Sequence, residues 1–424
     1  MTPYEKIYEQ VRSMPIIDTH EHLFCWESQQ DMDTDVIREY MMHYFSTDLV
    51  AAGMDVRVME EQIKGKGLSL LEKWDMIQPY WQAARFTGYG RALRLAAKIL
   101  YGVDRIERNT IEELNEKFLS ARRAGNHYHR VLKDVCNIEV SILDNQPDCD
   151  KTYFRPTVHV DGWIVPHTLQ EMDALCQKFG FAMTSLEDYA EAVDREIEEQ
   201  FANGGACYKC ALAYQRSLYY PLATQHEAEA DFRDMLARRH IRPGDGAAIQ
   251  SGAAFQNFMM HHILRVANRK GRAFQFHTGL HESYGSILRD SDPSHLTNLF
   301  LNYPEVRFDL FHMSYPFMGI AGALAKNHHN VFLDMCWANI ISPMEASDWL
   351  ARWLDAVPAN KISAFGGDYC FLDGVAGHAA IARENISRAL AVKVEQQVMD
   401  VEEAVALARD LFYYNPKRIF ALDA

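Results

Sequence analysis

Apolar residues along the chain fall into short runs separated by longer stretches with helical spacing, and this rhythm is clearest in the second half. RAFQFHTG (272–279), VRFDLFHMS (306–314), VFLDMCW (331–337) and ISAFGGD (362–368) read as strands. SHLTNLFLNYP (294–304), GIAGALAKN (319–327) and SPMEASDWLARWLDAV (342–357) lie between them and read as helices. The alternation implies parallel βα units, because two parallel strands need a crossover connection and a helix is the usual one. MPIIDTH (14–20), IEVSILDN (138–145), YFRPTVHV (153–160) and ACYKCALAY (206–214) bring the strand candidates to eight. Eight βα units predict an α/β fold, a (β/α)8 TIM barrel built from residues 1–22 and 131–424.

Residues 23–130 break the rhythm. They hold long helical stretches, DTDVIREYMMHYF (33–45) and GRALRLAAKILYG (90–102), rich in Trp, Tyr and Met. They form either a helical insertion after the first strand, covering the barrel mouth, or a separate helical domain. The strand-like run that precedes them favours insertion. A second insertion around 216–258 carries the turn-rich RHIRPGDGAAIQSG. Asp400 and Glu403 have the spacing of a capping box ahead of AVALARDLFYYN.

Composition narrows the function classes. The chain has 424 residues, 48% of them hydrophobic, enough for a barrel-sized core. A net charge of −15 argues against nucleic acid or an anionic membrane as partner. The eight cysteines are scattered through the chain rather than arranged as a dense disulfide framework. The polar start, MTPYEKIYEQVRSM, lacks the layout of a signal peptide, and no apolar run nears the ~20 residues of a membrane span. The expectation is a cytoplasmic protein that acts on a small molecule, as a monomer or a homo-oligomer.

Candidate chemistry sits at the strand ends. In PIIDTHEHLF, His20 and His22 are two apart, and strand residues i and i+2 share a face, so both imidazoles can reach one ion. Spacing alone is weak: NHYHRV places His127 and His129 the same way on a predicted helix, where they diverge. Company strengthens the first pair. His277, His312 and Asp368 each follow an apolar strand run, Asp368 beside two glycines that permit close backbone approach. Imidazole and carboxylate donors suit a divalent metal, Zn²⁺ first. Asp18 shares the His20–His22 face one step deeper and is expected to orient a ligand or the loop backbone, while Glu21 should point away. Cys207-x-x-Cys210 reads as packing. His277–His281 is not a zincin motif, since Thr278 follows the first histidine. His281 is expected to face substrate or solvent. The pairs His261–His262 and His328–His329 read as surface residues on helices.

The set His20, His22, His277, His312 and Asp368 resembles the amidohydrolase superfamily of metal-dependent barrels. NPKRIF (415–420) resembles the close of amidohydrolase-related family 2. HTGLHE and FGGDYCF are similar to amidohydrolase domains associated with glutamine synthetase, and the helical insertion resembles that of uronate isomerases. The resemblance implies one or two metal ions. It makes Lys209, inside the fourth apolar run, a candidate for carboxylation on its amine to bridge two of them. The alternative is a neutral or ion-paired lysine in a one-metal site. Asp368 is implied as the general base, with His312 helping to polarise the bond attacked. Tyr214, Arg216, Arg155, His281 and Trp337 are candidates for holding substrate, the arginines because a guanidinium pairs with a carboxylate in bidentate fashion. These readings favour hydrolysis of an amide, lactone or related bond in a small, carboxylated substrate. A uronate-type isomerase or a decarboxylase is the alternative, and a non-enzymatic scaffold would call for a broken ligand set.

Overall fold

The computed structural model describes residues 1–144, 147–238, 250–282 and 284–422. Most of the turn-rich stretch expected in the second insertion, residues 239–249, lies outside the described residues. Eight strands form one parallel sheet in chain order: β1 Ile16–Glu21, β2 Ile138–Leu143, β3 Phe154–His159, β4 Cys207–Cys210, β5 Ala273–Phe276, β6 Arg307–Leu310, β7 Val331–Asp334 and β8 Ile362–Ser363. β8 is short, but the extended chain beyond it returns to β1. Thr19 N–H donates to Phe365 C=O (3.1 Å), Asp368 N–H to His20 C=O (2.8 Å) and His22 N–H to Tyr369 C=O (3.0 Å). These bonds join the last strand to the first, as a (β/α)8 TIM barrel requires.

The observed strands stop earlier than the apolar runs suggest. β4 ends at Cys210, and Leu212–Tyr214 turns as a 3-10 helix. Beyond β6 to β8 the chain leaves extended geometry at residues with positive φ: His312 (62°), Trp337 (59°) and Asp368 (55°). Each is non-glycine, in a region that costs such residues about 1–2 kcal/mol. The strand ends therefore turn their side chains inward instead of continuing the pleat.

Helices alternate with the strands, among them Leu186–Ala202, Ala253–Lys270, Met318–Asn327, Pro343–Ala356 and the long Leu372–Glu395 after β8. Residues between β1 and β2 form further helices, including Val36–Tyr40, Phe45–Ala51, Leu70–Ala84, Gly88–Tyr101 and Ile111–Arg123. Gly88–Tyr101 begins where the Thr87 hydroxyl accepts from Gly90 N–H and ends at Gly102, which takes the left-handed conformation. Its buried face holds Ala92, Leu93, Ala96, Ala97 and Leu100. It packs along Leu372–Glu395 so closely that a Cβ at Gly377 would sit 1.9 Å from Ala92 C=O. Glycine at 377 is what lets the two backbones touch.

Inside the barrel one layer is polar. Lys209, Gln275 and Asp309 stand side by side in register on β4, β5 and β6, with Asp334 and Ser363 on β7 and β8, all buried. Burial and the adjacent Asp334 push the Asp309 carboxyl far above its usual range, and burial lifts Asp334 to about 7. The pair is held with fewer than two negative charges. No helix among the described residues is long and apolar enough to cross a membrane.

Candidate metal centre

Apolar β1 residues Ile16 and Ile17 anchor the strand in the core, and the polar residues after them run into the carboxyl end of the barrel. Asp18 holds the loop backbone: its Oδ1 accepts from Gly367 N–H (3.0 Å) and His20 N–H (3.3 Å), and Ser141 Oγ donates to its Oδ2 (2.9 Å). A Cβ at Gly367 would meet Glu21 Oε1 at 1.8 Å, and one at Gly366 would meet Thr19 Oγ1 at 2.5 Å. The two glycines before Asp368 thus allow the close approach expected of them. The β1–β2 register shifts between Asp18 and Glu21, so the Glu21 carboxylate is buried beside Asp18 and accepts from Tyr369 N–H (2.8 Å). It stays outside the histidine cluster.

Asp368 lies among the imidazoles. Its Oδ1 is 3.1 Å from His22 Nε2 and 3.8 Å from His20 Nε2, and its Oδ2 is 3.9 Å from His312 Nδ1. Burial opposes the charged carboxylate, but the His22 hydrogen bond and the surrounding imidazoles hold it well below the usual range. His20, His277, His312 and Asp368 are buried, whereas the His22 side chain is 40% exposed and marks the open side.

The hydrogen-bond directions at His277 and His312 decide what this cluster needs. His277 Nε2 lies 2.8 Å from Leu280 C=O, and His312 Nδ1 lies 3.1 Å from Cys336 C=O. A carbonyl only accepts, so both of those nitrogens carry the proton. The remaining nitrogens, His277 Nδ1 and His312 Nε2, then face each other with lone pairs at 2.9 Å. Burial keeps both rings neutral, His277 well below its ordinary value and His312 at about 4. Two opposed lone pairs call for a cation between or beside them, and nitrogens sharing one tetrahedral Zn²⁺ at ~2.0–2.1 Å sit about 3.3 Å apart. Buried His20 Nδ1 has no hydrogen-bond partner among the described residues. Donor atoms of His20, His22 and Asp368 lie within 4.8 Å of one another, as do those of His312, Cys336 and Asp368. The residues present fit a divalent metal.

Lys209 reaches the same cluster from β4. Its Nζ lies 3.5 Å from His20 Nε2 and 3.9 Å above the Phe311 ring centroid. Among the described residues no carboxylate forms an ion pair with it within 4.0 Å.

Several residues at the site were not singled out from the sequence. Asp144 follows β2, 3.9 Å from His22 Nδ1. His159, ending β3, lies 3.1 Å from Asp144 Oδ1 and 3.2 Å from Asp161 Oδ2. Burial works against a charged His159, but Asp144 and Asp161 raise it to about 10. Both carry the signal that found His312, a polar residue closing an apolar strand. Cys336 stands beyond β7, and Tyr44, from the helical segment after β1, donates to Asp368 C=O (2.5 Å). Nothing in the local sequence pattern marks Tyr44.

The candidate substrate residues separate. Tyr214 stacks on His281 (4.5 Å between centroids) and packs against His277 (4.6 Å). His281 is buried, with Nε2 unpartnered among the described residues. Trp337 packs edge-on against His312 (5.1 Å) and stacks on Tyr44 (4.6 Å). These three adjoin the centre. Arg216 is instead engaged by Gln256, Asn257 and Tyr219 C=O, its guanidinium over the Tyr220 ring. Arg155 sits near the amino end of β3, bonded to Lys151 and Phe154 carbonyls, at the opposite end of the barrel. His261 corrects the surface reading: it is buried between Tyr303 Oη (2.7 Å) and Tyr220 C=O (2.9 Å), because the apolar face of its helix turns inward there. His127 is likewise buried, against Asp373 (3.2 Å), while His129 is exposed and points to Asp134.

Imidazole and carboxylate donors at the carboxyl ends of parallel strands define a (β/α)8 barrel of the metal-dependent kind. The amidohydrolase family model matches residues 160–422, and the chain belongs to that family. Over 167 residues, 38% of its length, it is 30% identical to the protein fluG of Emericella nidulans; the match spans 19% of fluG. The whole fold is similar to glucuronate isomerase from Caulobacter crescentus (TM-score 0.78, 17% identity, 100% of this chain and 94% of the other). It is also similar to uronate isomerase from Thermotoga maritima (TM-score 0.76, 15% identity, 99% and 97%). A Lactobacillus casei protein assigned as a metal-dependent hydrolase aligns over 98% of both chains (TM-score 0.69, 14% identity).

Proposed function

We propose that this protein is a metal-dependent hydrolase of a small molecule, cleaving an amide, lactone or related bond, with Asp368 as general base. The observation that carries the metal dependence is the pair of opposed lone pairs on His277 and His312. We assign His20, His22, His277, His312 and Asp368 as the ligand set, with Lys209 as a further ligand if its amine is carboxylated. The histidine-rich donor set favours Zn²⁺. When bound, the ion supplies Lewis-acid polarisation and makes water easier to deprotonate near neutral pH.

The chain's own residues do the rest. Asp368 accepts a proton from water and returns it to the leaving group, a role suited to a carboxylate held ionised at the open edge beside His22. Asp144 and His159 form a polar chain behind His22 that fixes its ring. Carbonyls of Cys336 and Leu280 fix the tautomers of His312 and His277, so the donors are preorganised. Lys209 favours hydrolysis over isomerisation, because a buried amine without a carboxylate partner is suited to carboxylation and a second ion.

The second reading is an isomerase, favoured by the full-length likeness to the uronate isomerases and by the shared helical segment after β1. Assays of N-acyl amines, lactones and uronates on the metal-loaded enzyme separate the two. Hydrolysis without uronate turnover is expected, and uronate turnover alone would overturn the reading. Metal content per chain in wild type and Lys209→Ala, with mass analysis for a carboxylated lysine, tests the bridge. One ion in both proteins, with no added mass, removes it.

A further inference from the structure

Beside the metal centre lies a cavity of about 470 Å³. Trp337, Tyr44 and His281 line it and also contact His312, the Asp368 backbone carbonyl and His277, so it adjoins the metal centre. Its walls are aromatic. Tyr44 stacks on Trp337 (4.6 Å) and on Tyr89 (5.2 Å), which also stack on each other (6.4 Å), while Tyr284 and Tyr315 line the cavity and stack on no other ring among the described residues. Its charged lining residues are Asp48 and Glu282; no lysine or arginine lines it among the described residues. Lys64, which acts on Glu282 along with His22, is already paired with Glu60 at 2.8 Å. Asp48 is held by Thr87 Oγ1 (2.6 Å). His281 Nε2, buried and unpartnered among the described residues, offers one more polar contact.

Aromatic faces and carboxylates, with no lysine or arginine among the described lining residues, form a wall that attracts positive charge and repels negative charge. The arginines that would hold a carboxylate are engaged elsewhere. We propose that this cavity receives a protonated amine on the substrate, so that the molecule processed is a cationic amine derivative and not a carboxylate. The proposal rests on the hydrolase reading only for which bond is cleaved. In that case the acyl or lactone carbon lies at the metal centre while the ammonium sits between Glu282, Asp48 and the tyrosine faces.

The test uses shape-matched probes and no turnover. Dissociation constants of benzylammonium, benzyl alcohol and benzoate are measured by ligand-observed NMR at pH 7 and low salt. The proteins are the metal-replete wild type, Glu282→Gln and Asp48→Asn, each checked for folding by circular dichroism. The wild type is expected to bind benzylammonium at least about tenfold more tightly than benzoate, with benzyl alcohol between, and each variant to reduce that ratio about threefold or more. Benzoate binding as tightly as benzylammonium overturns the proposal, and so does an unchanged ratio in both variants. Absence of amide or lactone hydrolysis with the preference intact removes the hydrolase reading alone. Hydrolysis with a preference for benzoate removes the cavity assignment alone.

Discussion

Asp373, the second residue of the helix after β8, is the joint between the barrel and the helical segment that follows β1. Its carboxylate accepts from Tyr40 Oη (3.1 Å) and Tyr101 Oη (3.0 Å) and lies 3.2 Å from His127 Nε2. All four groups are buried, and Tyr40, Tyr101 and His127 come from three separate stretches of the segment. Replacing Asp373 by Ala removes the shared acceptor and leaves two phenols and an imidazole without it. Three hydrogen bonds to a charged group, at ~1.5–3 kcal/mol each, sum to roughly 5–9 kcal/mol. Removing the carboxylate also relieves its burial cost, several kcal/mol, so the net loss should be about 3–5 kcal/mol. Asp373→Asn keeps one acceptor and should lose only about 1–2 kcal/mol. Urea unfolding followed by circular dichroism gives the two values. Hydrogen exchange should quicken selectively in 36–51 and 88–101 if the segment loosens before the barrel. A loss below ~1 kcal/mol for Asp373→Ala, or exchange that quickens evenly throughout, would refute this account of the joint.

Arg383 donates to the carbonyls of Val11 (2.5 Å), Met14 (2.8 Å) and Cys136 (2.7 Å), tying down the chain just before β1 and β2. Arg383→Met should cost about 3–5 kcal/mol in urea unfolding, because three buried carbonyls lose their donor. Gly367→Ala forces a Cβ into the Glu21 carboxylate; it should cut bound metal about tenfold or more at limiting metal, read by elemental analysis, since Asp368 must shift. His159, raised to about 10 in the fold, contributes stability that is fully present below its unfolded value of ~6.5 and is lost as pH rises through about 10. Thermal melts from pH 6.5 to 10 should therefore show a decline that His159→Gln flattens, and identical profiles would contradict the assignment. Removal of metal by a chelator should lower the melting temperature reversibly, by the equivalent of ~4 kcal/mol for an ion present at a thousand times its dissociation constant.

The barrel was legible because its strands are contiguous apolar runs that end in chemistry. His20, His22, His277, His312 and Asp368 all close such runs, and the structure brings their side chains together. Asp144 and His159 close runs of the same kind. Other features left no local trace. Tyr44 reaches Asp368 from more than three hundred residues away in the chain, and its place depends on how the helical segment docks. Arg216 and Arg155 look alike in sequence to any carboxylate-binding arginine. What each bonds to is set by neighbours on other elements: Gln256 and Asn257 for one, and the amino end of β3 for the other. The burial of Glu21 beside Asp18 likewise leaves no local signal, because the backbone that receives it, at Gly367 and Tyr369, comes from the other end of the chain.

His312, Trp337 and Asp368 hold left-handed backbone at the ends of three successive strands, and this sets a limit on engineering. Glycine or asparagine would relax the backbone there by about 1–2 kcal/mol, but truncating a buried side chain as large as Trp337 would cost about 3–5 kcal/mol of packing. At 337 the same change would strip away the ring that stands against both His312 and Tyr44. The strain at these strand ends is thus held in place by the packing of the site, and stabilising changes are better sought on the outer helices than at the barrel mouth.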